Sequence, residues 1–237
     1  MTRGATFNAA AAIEPFVRLL GAPLPDRVLD LACGPGIVSA AVARAGTRVV
    51  GLDATREMVE AAAARCREEG LEAEFREGRA EALPFPAESF SGATTRLSMH
   101  HLPEPALALA ELRRVLAPGG ALVVGDIVAA DDPAEARLHD ALETLRDPSH
   151  VRLLPEAELA QSLRTAGFRV EATEAWDNPK TFSEWAAIVA EARSLGPVRE
   201  VMHALASAGV RAGIDLRAEG DEIHFVHHWR FLRAVAV

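Results

Sequence analysis

The first half of the chain alternates short runs of β-branched and leucine residues with longer segments of helical periodicity, and this alternation constrains the fold more than any other feature. It predicts five strands, at 27–32, 48–53, 73–77, 90–98 and 121–128, and three helices, at 37–45, 55–69 and 104–117. Strands that alternate with helices in this way pair in parallel. The pattern therefore predicts an α/β fold with a Rossmann-like, doubly wound, mostly parallel sheet.

The second half is less regular, and its turn signals are weaker. Helices are predicted at 133–145 and 155–166, with a mostly helical stretch at 181–208. Strands are predicted at 168–176 and 223–236, and the turn Glu219-Gly220-Asp221 supports a hairpin-like entry into the last strand.

Composition excludes several classes of function. The formal net charge is −9, which argues against nucleic acid as a partner because phosphate binding needs a basic face. The two cysteines, Cys33 and Cys66, are too few and too far apart for a disulfide framework or a zinc site. No segment approaches the roughly 20 apolar residues of a membrane helix, and no signal peptide is recognised. We therefore expect a cytoplasmic protein that does not insert into membranes, with its oligomeric state left open.

A glycine-rich turn follows the first strand. The residues are Asp30-Leu31-Ala32-Cys33-Gly34-Pro35-Gly36, and a helix starts directly after them. Glycines let the backbone approach a ligand, and the helix points its N-terminus at that ligand. A dinucleotide fingerprint has Gly or Ala at position 39, where this chain has Ser39.

An acidic residue supports a nucleoside ligand at this turn. Asp53 ends the second strand about 20 residues after the turn begins, where a carboxylate can accept hydrogen bonds from both ribose hydroxyls. The alternative is that Asp53 caps the helix starting near Thr55, and one carboxylate can do both.

Five motifs together carry a family resemblance. They are VLDLACGPG, VVGLDATREMVEAA, GRAEALPFPAESF, LSMHHL and ELRRVLAPGGALVVGD. In order and spacing they resemble the class I S-adenosylmethionine-dependent methyltransferases, over roughly residues 5–176. The chain is most similar to the subgroup related to the ubiquinone/menaquinone biosynthesis C-methyltransferases, and RDPSHVR at 146–152 resembles a block in bacterial members of it. The resemblance implies S-adenosylmethionine as cofactor, a small-molecule acceptor methylated on C, O or N, and a seven-stranded sheet with an antiparallel last strand.

The resemblance also implies which residues bind the cofactor. Asp30, Gly34 and Gly36 would surround its methionine end, and Asp53 would hold the ribose. The remaining assignments, around the adenine and along the site, are Ala54, Met58, Ala80, Glu81 and Leu97.

One position departs from the family pattern. Arg79 stands where the family often has an aspartate that accepts from the adenine amino group, and an arginine cannot accept a hydrogen bond. Either the backbone at Ala80 or the carboxylate of Glu81 is the expected substitute.

Candidate catalytic residues follow the fourth and fifth strands. His100 and His101 come after strand four, and Asp126 closes strand five, at the sheet edge where open α/β sheets bind ligands. We predict that His100 is a general base oriented by Asp126, and that His101 lines the substrate pocket. The alternative is that His100 only shapes the pocket while Asp126 bonds backbone groups.

Two residues of RDPSHVR are further candidates. Arg146 would recognise a substrate anion, and His150 is a second catalytic candidate. The alternative is ordinary: Asp147 caps a helix and the arginines are solvated. No metal is expected at His224, His227 and His228 on the last strand, because strand alternation separates the neighbours and no carboxylate joins them at ligand spacing.

We predict a single domain, 1–237, with two additions. Residues 1–25 would form a helical lid over the cofactor, with Phe7 or Phe16 covering it. Residues 178–215 would be a helical insert over the substrate pocket, with an apolar stripe at Phe182, Trp185, Ile188 and Leu195 that could equally be core.

Two other functions remain open on this sequence. One is a nicotinamide-dependent oxidoreductase on the same class of fold, which Ser39 and the ALPFP motif disfavour. The other is a cofactor-binding protein without methyltransferase activity, for which Arg79 is the main indication.

Overall fold

The computed structural model describes residues 10–187 and 195–237, which form two compact units. The first, called the sheet unit, comprises residues 10–126, 159–174 and 231–237. The second, called the helical unit, comprises residues 127–158, 175–187 and 195–230. The described part of the proposed insert 178–215 lies in the helical unit, and the single-domain assignment stays a prediction.

The elements follow one another as strands separated by helices. In chain order they are α1 (Ala10–Leu20), β1 (Arg27–Leu31), α2 (Ile37–Arg44), β2 (Arg48–Asp53), α3 (Arg56–Glu68), β3 (Ala73–Glu77), β4 (Phe90–Arg96), a 3-10 turn (Met99–His101), α4 (Pro105–Val115), β5 (Leu116–Ile127), α5 (Pro133–Arg146), α6 (Glu156–Thr165), β6 (Phe168–Thr181), α7 (Phe182–Ala186), α8 (Gly196–Ser207), β7 (Arg217–Glu219) and β8 (Glu222–Ala236). Among the described residues, no helix has the length and hydropathy needed to cross a bilayer.

Most predicted elements are confirmed to within two residues. Two strands are longer than the sequence pattern indicates. β5 begins at Leu116, which pairs with Phe90 before an irregularity in the ladder, so the Pro118-Gly119-Gly120 turn lies inside the strand. β6 continues to Thr181, where a capping box between Thr181 and Glu184 begins α7.

The sheet confirms the predicted doubly wound fold. Its strands lie in the order β3-β2-β1-β4-β5-β8-β6, and β1 to β5 pair in parallel. β7 lies outside this order and forms a short antiparallel hairpin with β8. The strand order reverses between β1 and β4, so the carboxyl ends of these two strands flank the crevice where such sheets bind ligands.

The last strand runs antiparallel to β6, as predicted. In the sheet unit, Glu171 of β6 contacts Arg233 of β8. In the helical unit, Asp177 contacts His228. Residue numbers increase along β6 while those of the contacting residues in β8 decrease, so the two strands run antiparallel.

α1 packs into the core of the sheet unit. Phe16 is fully buried, meets the ring of Phe231 edge-to-face with centroids 5.5 Å apart, and lies against the backbone of Gly125. Phe16 is therefore a core residue, and its predicted use as a ligand cover is wrong. Phe7 and the other residues of the predicted lid before Ala10 lie outside the described residues, so the lid itself stays a prediction.

The helical unit has an apolar core of its own. Trp185 of α7 packs edge-to-face on Phe225 of β8, with ring centroids 5.7 Å apart, and Phe182 joins the same cluster. Leu195 packs against this cluster, whereas Ile188 lies outside the described residues. The apolar stripe of the predicted insert is thus core packing, which is the alternative that the sequence left open.

Candidate functional site

The glycine turn between β1 and α2 lies at the carboxyl edge of the sheet. Gly34 and Gly36 have φ angles of 51° and 74°, the left-handed region that favours glycine. A Cβ atom on Gly36 would lie 2.8 Å from the Cβ of Ala62 in α3, whereas one on Gly34 would meet no atom of the described residues within 4 Å. Gly36 therefore permits close helix packing, and Gly34 borders open space.

The Asp30 side chain links β1, where the glycine turn begins, to α2 and β4. Its carboxylate is buried, and it accepts hydrogen bonds from the hydroxyls of Ser39 at 2.5 Å and Thr94 at 2.9 Å. Burial raises the pKa of Asp30 to about 6, and the two hydroxyl hydrogen bonds oppose that rise. Ser39, which breaks the dinucleotide fingerprint, thus ties α2 to the end of β1.

Asp53 joins β2 to the same turn. One carboxylate oxygen accepts from the Gly34 amide at 2.8 Å and the other from the Thr55 amide at 2.9 Å. The N-cap residue of α3 is Thr55, without a side-chain cap hydrogen bond, so Asp53 contacts the cap residue and is not the cap itself. Each oxygen has a second lone pair, so both interactions leave capacity for ribose hydroxyls.

The other residues that the resemblance assigns around the adenine belong to the sheet unit. Ala54 and Met58 are exposed, Met58 at 37%. Ala80 is buried, and the Glu81 carboxylate is 3.5 Å from the exposed Arg79 guanidinium. Arg79 thus faces solvent and Glu81, and an adenine contact by the Ala80 backbone or the Glu81 carboxylate stays a prediction.

Two non-glycine residues adopt left-handed backbone angles at the strand ends that flank the crevice. Ala32 follows β1 with φ 52°, and Leu97 follows β4 with φ 51°. The Leu97 amide donates to the carbonyl of Gly125 in β5, which holds it in that conformation. Strained backbone of this kind concentrates at ligand sites, which supports Leu97 as a site residue.

His100 and Asp126 meet as predicted. Nδ1 of His100 lies 2.5 Å from Oδ1 of Asp126, and the Met99 amide donates to the other oxygen at 3.0 Å. Both side chains are buried. An ionised Asp126 requires the proton on Nδ1, which leaves the lone pair on Nε2. His101 is half-buried, and its ring centroid is 4.3 Å from that of His100.

A buried cation at this edge of the sheet was not predicted from the sequence. Arg96 ends β4, and burial lowers its pKa to about 10, against the opposing charges of Asp30 and Asp126. It remains charged at neutral pH and compensates the two buried carboxylates. A charged residue at the end of an otherwise buried strand was the available signal.

Arg146 and His150 have structural partners in the helical unit. The Arg146 guanidinium donates to one oxygen of the buried Glu143 at 2.7 and 3.0 Å and lies over the ring of Trp185. Nε2 of His150 lies 2.9 Å from the Asp140 carboxylate, which also accepts from the Leu153 amide. These contacts favour a structural ion pair and a loop anchor, against the predicted substrate and catalytic roles.

Comparisons with known proteins find similarity to methyltransferases. Residues 29–124 match the model of a methyltransferase domain family. The chain is 35% identical over 160 residues to the uncharacterised methyltransferase YcgJ of Bacillus subtilis, covering 67% of this chain and 63% of YcgJ. It is 33% identical over 160 residues to the demethylmenaquinone methyltransferase of Clavibacter sepedonicus, with coverages of 68% and 63%. It is also 32% identical to the YafE protein of Escherichia coli, covering 61% of this chain and 70% of YafE.

A solved structure extends the similarity over most of the chain. The crystal structure of YcgJ superposes with a TM-score of 0.80 at 28% identity, covering 89% of this chain and 92% of that one. In the sequence comparisons the match spans less than two thirds of the first two relatives, 63% of each.

Proposed function

Because the chain belongs to the class I S-adenosylmethionine-dependent methyltransferases, we propose that it transfers a methyl group from that cofactor to a C, O or N atom of a small-molecule acceptor. The main support for the proposal is that two features lie at the same edge of the sheet. An open glycine turn bound by Asp53 ends β1, and a buried imidazole–carboxylate pair joins the ends of β4 and β5.

The residues present fit the cofactor. Gly34 borders open space, Asp53 keeps hydrogen-bonding capacity for a ribose, and Ala54 and Met58 offer an apolar surface to a flat ring. When bound, S-adenosylmethionine supplies an electrophilic methyl group on a sulfonium. We propose that Asp30, Gly34 and Gly36 form the methionine end of its site, and that Ala80, Glu81 and Leu97 complete the rest.

In this proposal His100 is the general base. An oxygen, nitrogen or enol-type carbon acceptor must lose a proton, and Nε2 of His100 carries the lone pair that takes it. Asp126 then stabilises the imidazolium by its hydrogen bond to Nδ1. Arg96 places a positive charge near the Asp126 carboxylate, and His101 lines the acceptor side.

We also propose a kinship with quinone-biosynthesis methyltransferases within the family. The five motifs and the 33% identity to the demethylmenaquinone methyltransferase of Clavibacter sepedonicus support it. An electron-rich, ionisable ring or enol would be a suitable acceptor, because the His100–Asp126 pair can deprotonate it.

Labelled cofactor tests the proposal directly. The protein is incubated with a metabolite extract and methyl-labelled S-adenosylmethionine, and label is expected in a small molecule. Calorimetric titrations with S-adenosylhomocysteine and with NAD(H) separate the rival functions. Binding of NAD(H) but not S-adenosylhomocysteine would contradict the proposal, and cofactor binding without any labelled product would favour a protein that no longer methylates.

The affinity for S-adenosylhomocysteine is expected to rise with pH up to about pH 6 and then level off. Asp30 has a pKa near 6 in the free protein, so it is largely protonated below that value. The ammonium at the methionine end of the ligand favours the ionised form, so binding at low pH must release a proton. Linkage limits the effect to about tenfold per pH unit. Titration calorimetry from pH 5 to 8 measures it.

The conservative variant Asp30→Asn provides the control, since its amide can still bond Ser39 and Thr94 but cannot titrate. Its affinity should lose the pH dependence that Asp30 causes. An unchanged slope in the variant would assign the titration to a group other than Asp30.

A further inference from the structure

Two histidines and a glutamate meet in the interior of the helical unit. His139 and Glu143 lie one turn apart on α5, and His227 comes from β8. All three are buried, and one ligand atom of each lies within 4.8 Å of the others. Nε2 of His227 is 3.1 Å from Oε1 of Glu143, and Nε2 of His139 is 3.7 Å from the same oxygen.

His139 has no hydrogen-bond partner in the part of the chain that the structure describes. Its side chain is 1% exposed, and neither ring nitrogen makes a hydrogen bond, because 3.7 Å to Glu143 is too long for one. A buried polar group without a partner is costly, and such a group calls for a ligand or a function. Its Nε2 is aimed at the carboxylate oxygen that His227 also approaches.

We propose that His139, Glu143 and His227 bind a divalent transition-metal ion, and that zinc is the ion this set of donors favours. Two imidazoles and one carboxylate are zinc ligands that leave a fourth position for water. Ligand atoms in a tetrahedral zinc site lie about 3.3 Å apart, close to the 3.1 and 3.7 Å found here. The ion would fasten α5 to β8 within the helical unit.

The surrounding residues orient the carboxylate. Arg146 donates twice to Oε2 of Glu143, and Nε1 of Trp185 donates to Oε1 at 3.1 Å. An oxygen has two lone pairs, so Oε1 can keep Trp185 while its other lone pair faces the two imidazoles. Hydrogen bonds of this kind to a ligating carboxylate are typical of metal sites.

Zinc binding to the untagged protein, freed of metal by chelation, tests the proposal. We expect one equivalent to bind by calorimetry and to raise Tm by roughly 5–10 °C at a hundredfold excess over Kd. Cobalt should give the intense visible bands of a tetrahedral site. His139→Gln and His227→Gln should each abolish the one-equivalent binding and the Tm shift.

His224→Gln is the matched control, because His224 lies on the same strand with its side chain 27% exposed. It should bind zinc like the wild type. His139 makes no hydrogen bond, so His139→Gln is expected to fold, which circular dichroism checks. Equal zinc uptake by wild type and His139→Gln, or no uptake by wild type, would overturn the proposal and leave the cluster as a buried charge network.

Discussion

His100→Ala is expected to lower kcat by about 10²–10⁴-fold, the usual effect of losing a general base. The assay uses the acceptor identified by label transfer. The affinity for S-adenosylhomocysteine should stay nearly unchanged, because the proposed cofactor residues belong to the glycine turn and to β2 rather than to His100. The reason for the large loss is geometric. Nδ1 of His100 lies 2.5 Å from Oδ1 of Asp126. In the proposed mechanism this contact keeps the proton on Nδ1, so Nε2 is the ring atom that takes the proton from the methyl acceptor.

Two variants make this result specific. Asp126→Asn should also lower kcat strongly, because an amide at that position no longer holds the tautomer or stabilises the imidazolium. His150→Gln changes a buried histidine of the helical unit whose partner is Asp140, and kcat should change little. A loss below about tenfold in His100→Ala would remove His100 from the chemistry and leave catalysis to positioning alone.

The pH dependence of kcat/KM is a second test of the His100–Asp126 pair. A general base must be unprotonated, so kcat/KM of the wild type should fall at acidic pH. In His100→Ala the residual activity should lose that dependence. A profile of unchanged shape would show that the titrating group lies elsewhere.

The fold was predictable because it depends on local periodicity. Buried strands such as β1 and β2, each followed by a helix that ends near a glycine, leave parallel pairing as the only compact arrangement. The start of β5 was missed for a non-local reason. Leu116 becomes a strand residue only because it pairs with Phe90, 26 positions earlier.

The candidate site was predicted best where residues follow strand ends. Topology brings Asp53 to the glycine turn and His100 to Asp126, since their strands are placed by the sheet order. The role of Asp30 was less predictable, because its carboxylate turns inward to Ser39 and Thr94. Hydrophobic periodicity predicts that a residue lies at the end of a given strand. It does not predict which hydrogen-bond partners the side chain of that residue has.

The interpretation of Arg146 and of the last-strand histidines depended on one residue that the sequence does not mark. Glu143 is an ordinary helical glutamate by pattern, yet it is buried and contacts Arg146, Trp185 and His227. The expectation that no carboxylate joins the last-strand histidines is therefore wrong. The partners are 84 positions apart, and only the packing of α5 on β8 brings them together.

Gly36→Ala is expected to destabilise the protein by roughly 2–5 kcal/mol. The left-handed backbone costs about 1–2 kcal/mol for a residue with a Cβ, and overpacking adds about 1–3 kcal/mol. That atom would lie 2.8 Å from the Cβ and 2.9 Å from the Cα of Ala62, and a helix backbone cannot yield as a flexible side chain would. Denaturant unfolding measures the change as a lower midpoint with an unchanged m-value.

Gly34→Ala separates stability from cofactor binding at the neighbouring glycine. Its φ of 51° costs only about 1–2 kcal/mol, and its Cβ would meet no atom of the described residues within 4 Å. In the proposed function that open space belongs to the cofactor, so the affinity for S-adenosylhomocysteine should fall at least about tenfold, or 1.4 kcal/mol. Gly70→Ala, at φ 67° with equally open space after α3, should cost similar stability and leave affinity unchanged. Equal affinities in the Gly34 and Gly70 variants would show that the cofactor does not approach the turn at Gly34.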